Sequence, residues 1–238
     1  MPVITVSRLT GSGGATIGQQ LADRLGASYL NTQIIQEVAQ RLGISEATAR
    51  AYDERAEAFI ERLSRVLWLA NPGMMPMAGS ESPLVFESTT QSFVEVTRQL
   101  VREAALTGNA VIFGHGAQFI LAKQPGVLHV RFIAPLAFRV ERVAQRASIS
   151  RAEAERRVKE EDQRRASSIR QFYDADWNAL DPFHIILNTA LWKQEACVKL
   201  VLDAVEELAR LLALNLERAA RQGSVNPSAD TTSGEDDE

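Results

Sequence analysis

Residues 1–18, MPVITVSRLTGSGGATIG, constrain the fold of this chain more than any other stretch. Val3-Ile4-Thr5-Val6 is a short β-branched run, which favours a buried parallel strand. Ser7 to Gly14 is then rich in small residues, and from Thr16 a helical period begins at Ile17, Leu21 and Leu25. Strand, glycine-rich turn and helix is the layout that aims backbone N–H groups and a helix N-terminus at a phosphate. Glycines leave room for an anion to reach those amides, and some turn positions need φ > 0. Set on the pattern G-x-x-x-x-G-K-[ST] with Gly13 as its second glycine, the loop has Arg8 at the first glycine and Gly14 at the lysine. Ala15 takes the Ser/Thr place, with Thr16 one residue on. The lysine that normally reaches the β- and γ-phosphates is absent, and a tight strand-to-helix connection without a ligand is the plainer reading.

Further along, Ala27 to Leu30 reads as a short extended piece, Ile34 to Leu42 as a helix capped at Asn31-Thr32 and stopped by Gly43. Ser45 predicts the start of a third helix running to about Leu69, followed by a loop over 71–83 with three prolines, two glycines and three methionines. Those methionines suit either a planar ligand or, more ordinarily, irregular core gaps. An amphipathic helix from about Thr89 to Thr107, a strand at Ala110–Phe113 and a short helix Ala117–Ala122 come next. A strand at Leu128–Ile133 leads to Pro135, which opens another helix, and His184–Asn188 reads as the final strand before a helix over 193–214. His129 and His184 are read as structural, and His115 as a turn histidine or a site residue. Strands separated by helices predict an α/β fold, a parallel sheet with helices on both faces. Ligands of such sheets bind beyond the carboxyl ends of the strands. Gly11 to Thr16, Gly114 to Gly116 and Ala134-Pro135 all lie at those ends.

Between Arg139 and Arg170 ten basic residues face six acidic ones, in a chain whose formal net charge is −4. Arg139, Arg142 and Arg146 recur at i, i+3, i+7 and share one helix face. Asp162 and Arg165 are neighbours at i, i+3. Arg151, Arg156 and Lys159 have acids close by and fit solvated ion pairs worth only ~0.2–0.5 kcal/mol each. For the others the sharper reading is a lid over polyphosphate, because a guanidinium binds phosphate oxygens bidentately and stays charged.

The 238 residues suffice for one large domain, and the negative net charge argues against general nucleic-acid binding. No apolar run reaches the ~18 residues of a membrane span. The single cysteine, Cys197, and the absence of a basic or apolar leader before Val3 predict a cytoplasmic protein. Residues 222–238 are small, polar and acidic and predict a disordered tail.

Four stretches carry a resemblance to the cytidylate kinase-like proteins, a branch of P-loop nucleoside monophosphate kinases. They are ITVSRLTGSGGATIGQQLADRLGASYLN, VIFGHGA, RFIAPLAFRVER and EEDQRRASSIRQFYDADWNALDPFHIILNT. The resemblance implies a three-layer P-loop domain over residues 1–221. It would include a helical region for the monophosphate at about 32–95 and an arginine-rich lid at about 139–175. It implies transfer of the γ-phosphoryl of ATP, with Mg²⁺, to a nucleoside monophosphate such as CMP or dCMP. Gly11, Ser12, Gly13, Gly14 and Thr16 would cradle the donor phosphates, with Arg8 supplying part of the missing charge. Arg139, Arg142 and Arg165 would neutralise the transferring group, and Asp162 would orient them or touch the metal's water shell. Three features depart from the family pattern: the missing lysine, His115 in place of arginine, and Asn31 where an acid is frequent. No metal ligand can be assigned, and a nucleotide-binding pseudokinase is the alternative. The oligomeric state, including a homo-oligomer, is left open.

Overall fold

Alternate residues of the opening strand face opposite sides of a sheet, and both sides are covered. In the computed structural model, which describes residues 2–49 and 83–223, β1 (Val3–Arg8) is almost fully buried. After it come α1 (Gly14–Leu25), β2 (Ser28–Leu30), α2 (Thr32–Leu42), α3 (Pro83–Thr107), β3 (Ala110–Phe113) and α4 (Ala117–Ile120). The remaining elements are β4 (Val127–Ile133), α5 (Leu136–Ala147), α6 (Arg151–Tyr173), β5 (Ile185–Asn188) and α7 (Gln194–Gly223). The strands form one sheet in the order β2-β3-β1-β4-β5, and every pairing is parallel. Val3 packs with Ile34, Val38 and Val101 of α2 and α3 on one side. Ile4 and Val6 pack with Ile17 and Leu21 of α1 and with Val198 and Val201 of α7 on the other. Each large side chain so buried contributes roughly 1.5–3 kcal/mol. Two hydrophobic layers on one sheet are what fix the loops at its carboxyl edge.

Several boundaries differ from those the sequence predicts. Helix α3 reaches back to Pro83, a residue suited to a first helical position. Helix α7 continues to Gly223 rather than ending near Leu214, because residues 213–222 contain no breaker and are rich in Ala, Leu, Glu and Arg. The short piece after α1 joins the sheet as edge strand β2, and α4 ends at Ile120. Asn31 precedes α2 but its side chain makes no capping bond. Ser45 does cap, since its Oγ accepts the Thr48 N–H at 3.1 Å. Most of the predicted third helix, the methionine loop and the acidic tail from residue 224 lie outside the described residues.

The histidines read as structural sit together. His129 Nδ1 and Thr5 Oγ1, register partners in β4 and β1, are 2.7 Å apart. The His129 and His184 rings lie 4.8 Å apart, and His184 Nδ1 accepts the backbone N–H of His129. Burial first, then the neighbouring His184, lowers the His129 pKa to about 4. The folded protein therefore prefers the neutral ring. Its stabilising contribution is complete above the unfolded value near 6.5 and is lost as pH falls from there towards 4. The loss amounts to about 3 kcal/mol. Melting curves of wild type and His129→Gln between pH 7.5 and 4.5 should converge towards low pH. Parallel curves would contradict this account.

Candidate active site

The chain leaves β1 into Leu9-Thr10-Gly11-Ser12-Gly13, and this loop is held from three directions. Leu9 N–H donates to the Phe132 carbonyl at 3.0 Å. Thr189, just past β5, donates its hydroxyl to the Ser12 carbonyl at 2.7 Å. Asp162 of α6 accepts the Thr10 N–H on Oδ1 at 2.8 Å. Gly11 and Gly13 have φ of 81° and 86°, the left-handed region that glycine enters without strain. Gly14 then starts α1 against Arg8 and Phe132, where a Cβ would come within 2.9 Å of Arg8 Cβ. Thr16, in the first turn of α1, is half-buried.

Helices α5 and α6 bring the predicted arginines onto this loop. Arg139 is buried, and its Nη1 donates to Asp162 Oδ2 at 2.7 Å and to the Thr10 carbonyl at 3.0 Å. Its Nε donates to the Ala134 carbonyl at 2.9 Å. Three of its five N–H donors are thus committed to holding loop and helices together. Arg165 donates from Nη1 to Thr10 Oγ1 and, at 3.3 Å, to Asp162 Oδ1. Its Nη2 reaches Glu161 Oε2 at 3.4 Å. Arg142 is different. Its guanidinium lies over Gly13, 2.6–2.8 Å from where a Cβ would project, and it has no ion pair among the described residues. Arg146, predicted on the same face, is exposed. Arg156 and Lys159 form the exposed i,i+4 pairs expected of them, with Glu160 and Glu155.

On the other side of Arg8 a cavity of about 570 Å³ opens between the sheet edge, α2, α3 and α6. Arg8, Arg157, Arg164 and Arg165 line it, with Glu161 as the single carboxylate among the described residues. Phe93, Phe172 and Tyr173 supply an aromatic wall. Arg8 is aligned by its contact with the Phe113 ring, 4.1 Å from guanidinium carbon to ring centre. Gly116 (φ 66°) lets the Tyr173 ring approach so closely that a Cβ would fall 2.3 Å from it, and the Tyr173 hydroxyl donates to the His115 carbonyl at 2.9 Å. His115 donates from Nε2 to the Asn31 carbonyl at 3.0 Å. Two of the three positions at which the sequence departs from the family pattern therefore meet, and their bond ties the β3 loop to the start of α2. Among the described residues no group of three His, Cys, Asp or Glu side chains is placed to hold a metal ion, and no helix is long and apolar enough to cross a membrane.

The predicted residues thus form two connected parts: a loop capped by guanidinium groups, and a cationic cavity beside it. Thr10, Glu161 and Thr189 belong to the same assembly, although sequence reasoning does not single them out. Thr10 and Thr189 follow strand ends, and that position is the signal that marks them.

The model of the cytidylate kinase-like family matches residues 3–191. The cytidylate kinase of Methanopyrus kandleri is 26% identical over 215 residues, covering 87% of this chain and 94% of its own. That of Pyrococcus horikoshii is 28% identical over 207 residues, covering 87% and 89%. An uncharacterized protein from Eubacterium ventriosum superposes with a TM-score of 0.61 at 14% identity, over 87% of this chain and 99% of that one. With the parallel sheet, the glycine loop at its carboxyl edge and a match spanning most of its length, the chain belongs to the cytidylate kinase-like family.

Proposed function

We propose that this protein transfers the γ-phosphoryl group of ATP to a nucleoside monophosphate, CMP or dCMP, in the cytoplasm. The observation that carries the reading is Arg142: a guanidinium with no counter-charge among the described residues rests over the backbone of the glycine loop. A guanidinium lying beside the backbone at a helix N-terminus is a favourable place for an anion. Gly11, Ser12, Gly13, Gly14 and Thr16 would cradle the donor phosphates, with Arg142 in the role of the missing lysine. Residues 139–175 would act as the lid, and the cavity bounded by α2 and α3 would hold the acceptor. The two cytidylate kinases named above supply the choice of base.

In the transfer, an oxygen of the acceptor phosphate forms a bond to the γ-phosphorus while the bond to the β–γ bridging oxygen breaks and ADP leaves with its electron pair. Such chemistry asks the protein for alignment and charge stabilisation rather than covalent participation. Arg142 and Arg165 supply positive charge at the loop. Arg139 and Asp162 hold that charge in place through Thr10. Where Mg²⁺ accompanies ATP, the carboxylate of Asp162, held at the glycine loop by the Thr10 N–H and Arg139, would touch the ion's water shell. The ion would neutralise charge on the donor phosphates.

The pseudokinase alternative finds no support in the family or the fold. A coupled ADP-release assay over CMP, dCMP, UMP, AMP and GMP tests the reading. Turnover is expected with CMP or dCMP at roughly 1–100 s⁻¹. ATP binding without turnover on any monophosphate would overturn it.

A further inference from the structure

Helix α7 has two apolar faces, and the sheet covers only one of them. Val198, Val201, Val205 and Leu208 recur at i, i+3, i+7, i+10 and pack with Ile4 and Val6 of β1. Leu212 extends that face to the turn before β4, where a Cβ on Gly126 would meet its methyl group at 3.3 Å. From 213 to 221 every residue is exposed, so the last turns of the helix are open to water. Leu211 and Leu214, 49% and 45% exposed, lie on the other face. Glu207 and Arg218 flank them, and the four recur at i, i+4, i+7, i+11, the spacing of a helical seam.

That spacing reads the same in both directions, but the charge does not: an acid opens the seam and a base closes it. A second copy laid antiparallel about the midpoint between Leu211 and Leu214 is therefore complementary. It sets Leu211 against Leu214 of the partner subunit and Glu207 against Arg218 of the partner subunit, each pair occurring twice. Parallel and in register, the same helices would oppose acid to acid and base to base. Glu207 already accepts from Arg210 of its own helix at 2.7 Å, and a carboxylate has room for a second guanidinium. Arg218 has no ion pair among the described residues. Leu216 is 72% exposed but lies across the helix from Leu214, outside the seam.

We propose that α7 is the interface of an antiparallel homodimer, with Leu211 and Leu214 as its apolar seam and Glu207 and Arg218 fixing its direction. The inference does not depend on the phosphotransferase reading. One helical seam falls short of the ~1,200–2,000 Å² of a standard stable interface. The dimer is accordingly concentration-dependent, with a dissociation constant on the order of 10 µM.

The test is sedimentation velocity of the full chain between about 1 and 300 µM, a range that brackets this constant. Wild type is expected to pass from monomer to dimer. Glu207→Arg and Arg218→Glu each place like charges at both ends of the seam and should each weaken the dimer by about tenfold or more. The double variant reverses both pairs and should return to within a few-fold of wild type. An equimolar mixture of the two single variants should form a heterodimer. Leu211→Glu should stay monomeric throughout, whereas Leu216→Glu should dimerise as wild type does. Circular dichroism of the dilute chains identifies any variant that fails to fold, and the charge variants, at exposed positions, keep the test decisive. Wild type that stays monomeric at the highest concentration would overturn the dimer, and capture of that monomer by anionic vesicles would give the face to a lipid surface instead. A double variant no better than the single ones, or Leu216→Glu as impaired as Leu211→Glu, would also overturn it.

Discussion

Arg142→Ala should lower kcat by about 10³-fold while the protein folds as wild type does. Cationic side chains that meet the transferring phosphoryl group are worth 10³–10⁵ in rate, and the loop here has no lysine to share the task. Arg142 packs over Gly13 and has no ion pair among the described residues, so its removal deletes charge without orphaning a buried carboxylate. Arg142→Lys should recover part of the rate, since a point charge returns but the planar fork does not. Arg146→Ala, one turn further along the same helix and exposed, is the matched control and should change kcat little. Arg139→Ala is expected to act differently. It removes the partner of the half-buried Asp162, so its loss of rate should come with a loss of stability.

The second large effect is on the loop itself. Gly11→Ala should destabilise the protein by about 3 kcal/mol, combining left-handed strain with overpacking. For a chain of this size that is a fall in Tm of about 10 °C. At φ 81° the new Cβ would lie 2.7 Å from the Arg139 carbonyl oxygen. That neighbour is backbone and cannot swing aside. Moving it would disturb the residue whose guanidinium ties Thr10 to Asp162. The comparison is Gly26→Ala, where φ is 58° but nothing stands within 4 Å of the added carbon. That change carries the conformational cost alone, about 1 kcal/mol. Equal Tm losses in the two variants would contradict the packing argument.

The features legible in the sequence are the local ones. The opening strand, the glycine turn and α1 announce themselves within two dozen residues, because alternation, glycine placement and helical period are short-range signals. The arginine helix pair is legible for the same reason. The link between Thr10 and Asp162 is not, since the two lie 152 residues apart and nothing in either neighbourhood names the other. Nor can spacing separate Arg142, which reaches Gly13, from Arg146, which faces water, because both occupy one helical face until tertiary contacts divide them. Ser7 and Arg131 do leave a signal. Each is a polar residue at a period-two position of a buried strand, the two are register partners across β1 and β4, and Ser7 lines the cavity.

The arrangement also accounts for the absent lysine. At the glycine loop, cationic charge comes from Arg142 of α5 and Arg165 of α6, more than a hundred residues downstream, rather than from the first turn of α1. On the proposed reading, the charge available to the transfer is conditional on how the arginine helices sit.

The most direct test is the chemical step itself: single-turnover transfer of the γ-phosphoryl from radiolabelled ATP to CMP, at saturating ATP, in wild type, Arg142→Ala and Arg165→Ala, with ATP affinity measured in parallel. The account predicts that the transfer rate falls about 10³-fold in Arg142→Ala and by at least tenfold in Arg165→Ala, while ATP dissociation constants change several-fold at most. Losses of rate and of ATP affinity by the same factor would mean that these guanidinium groups only bind the donor, and would contradict it.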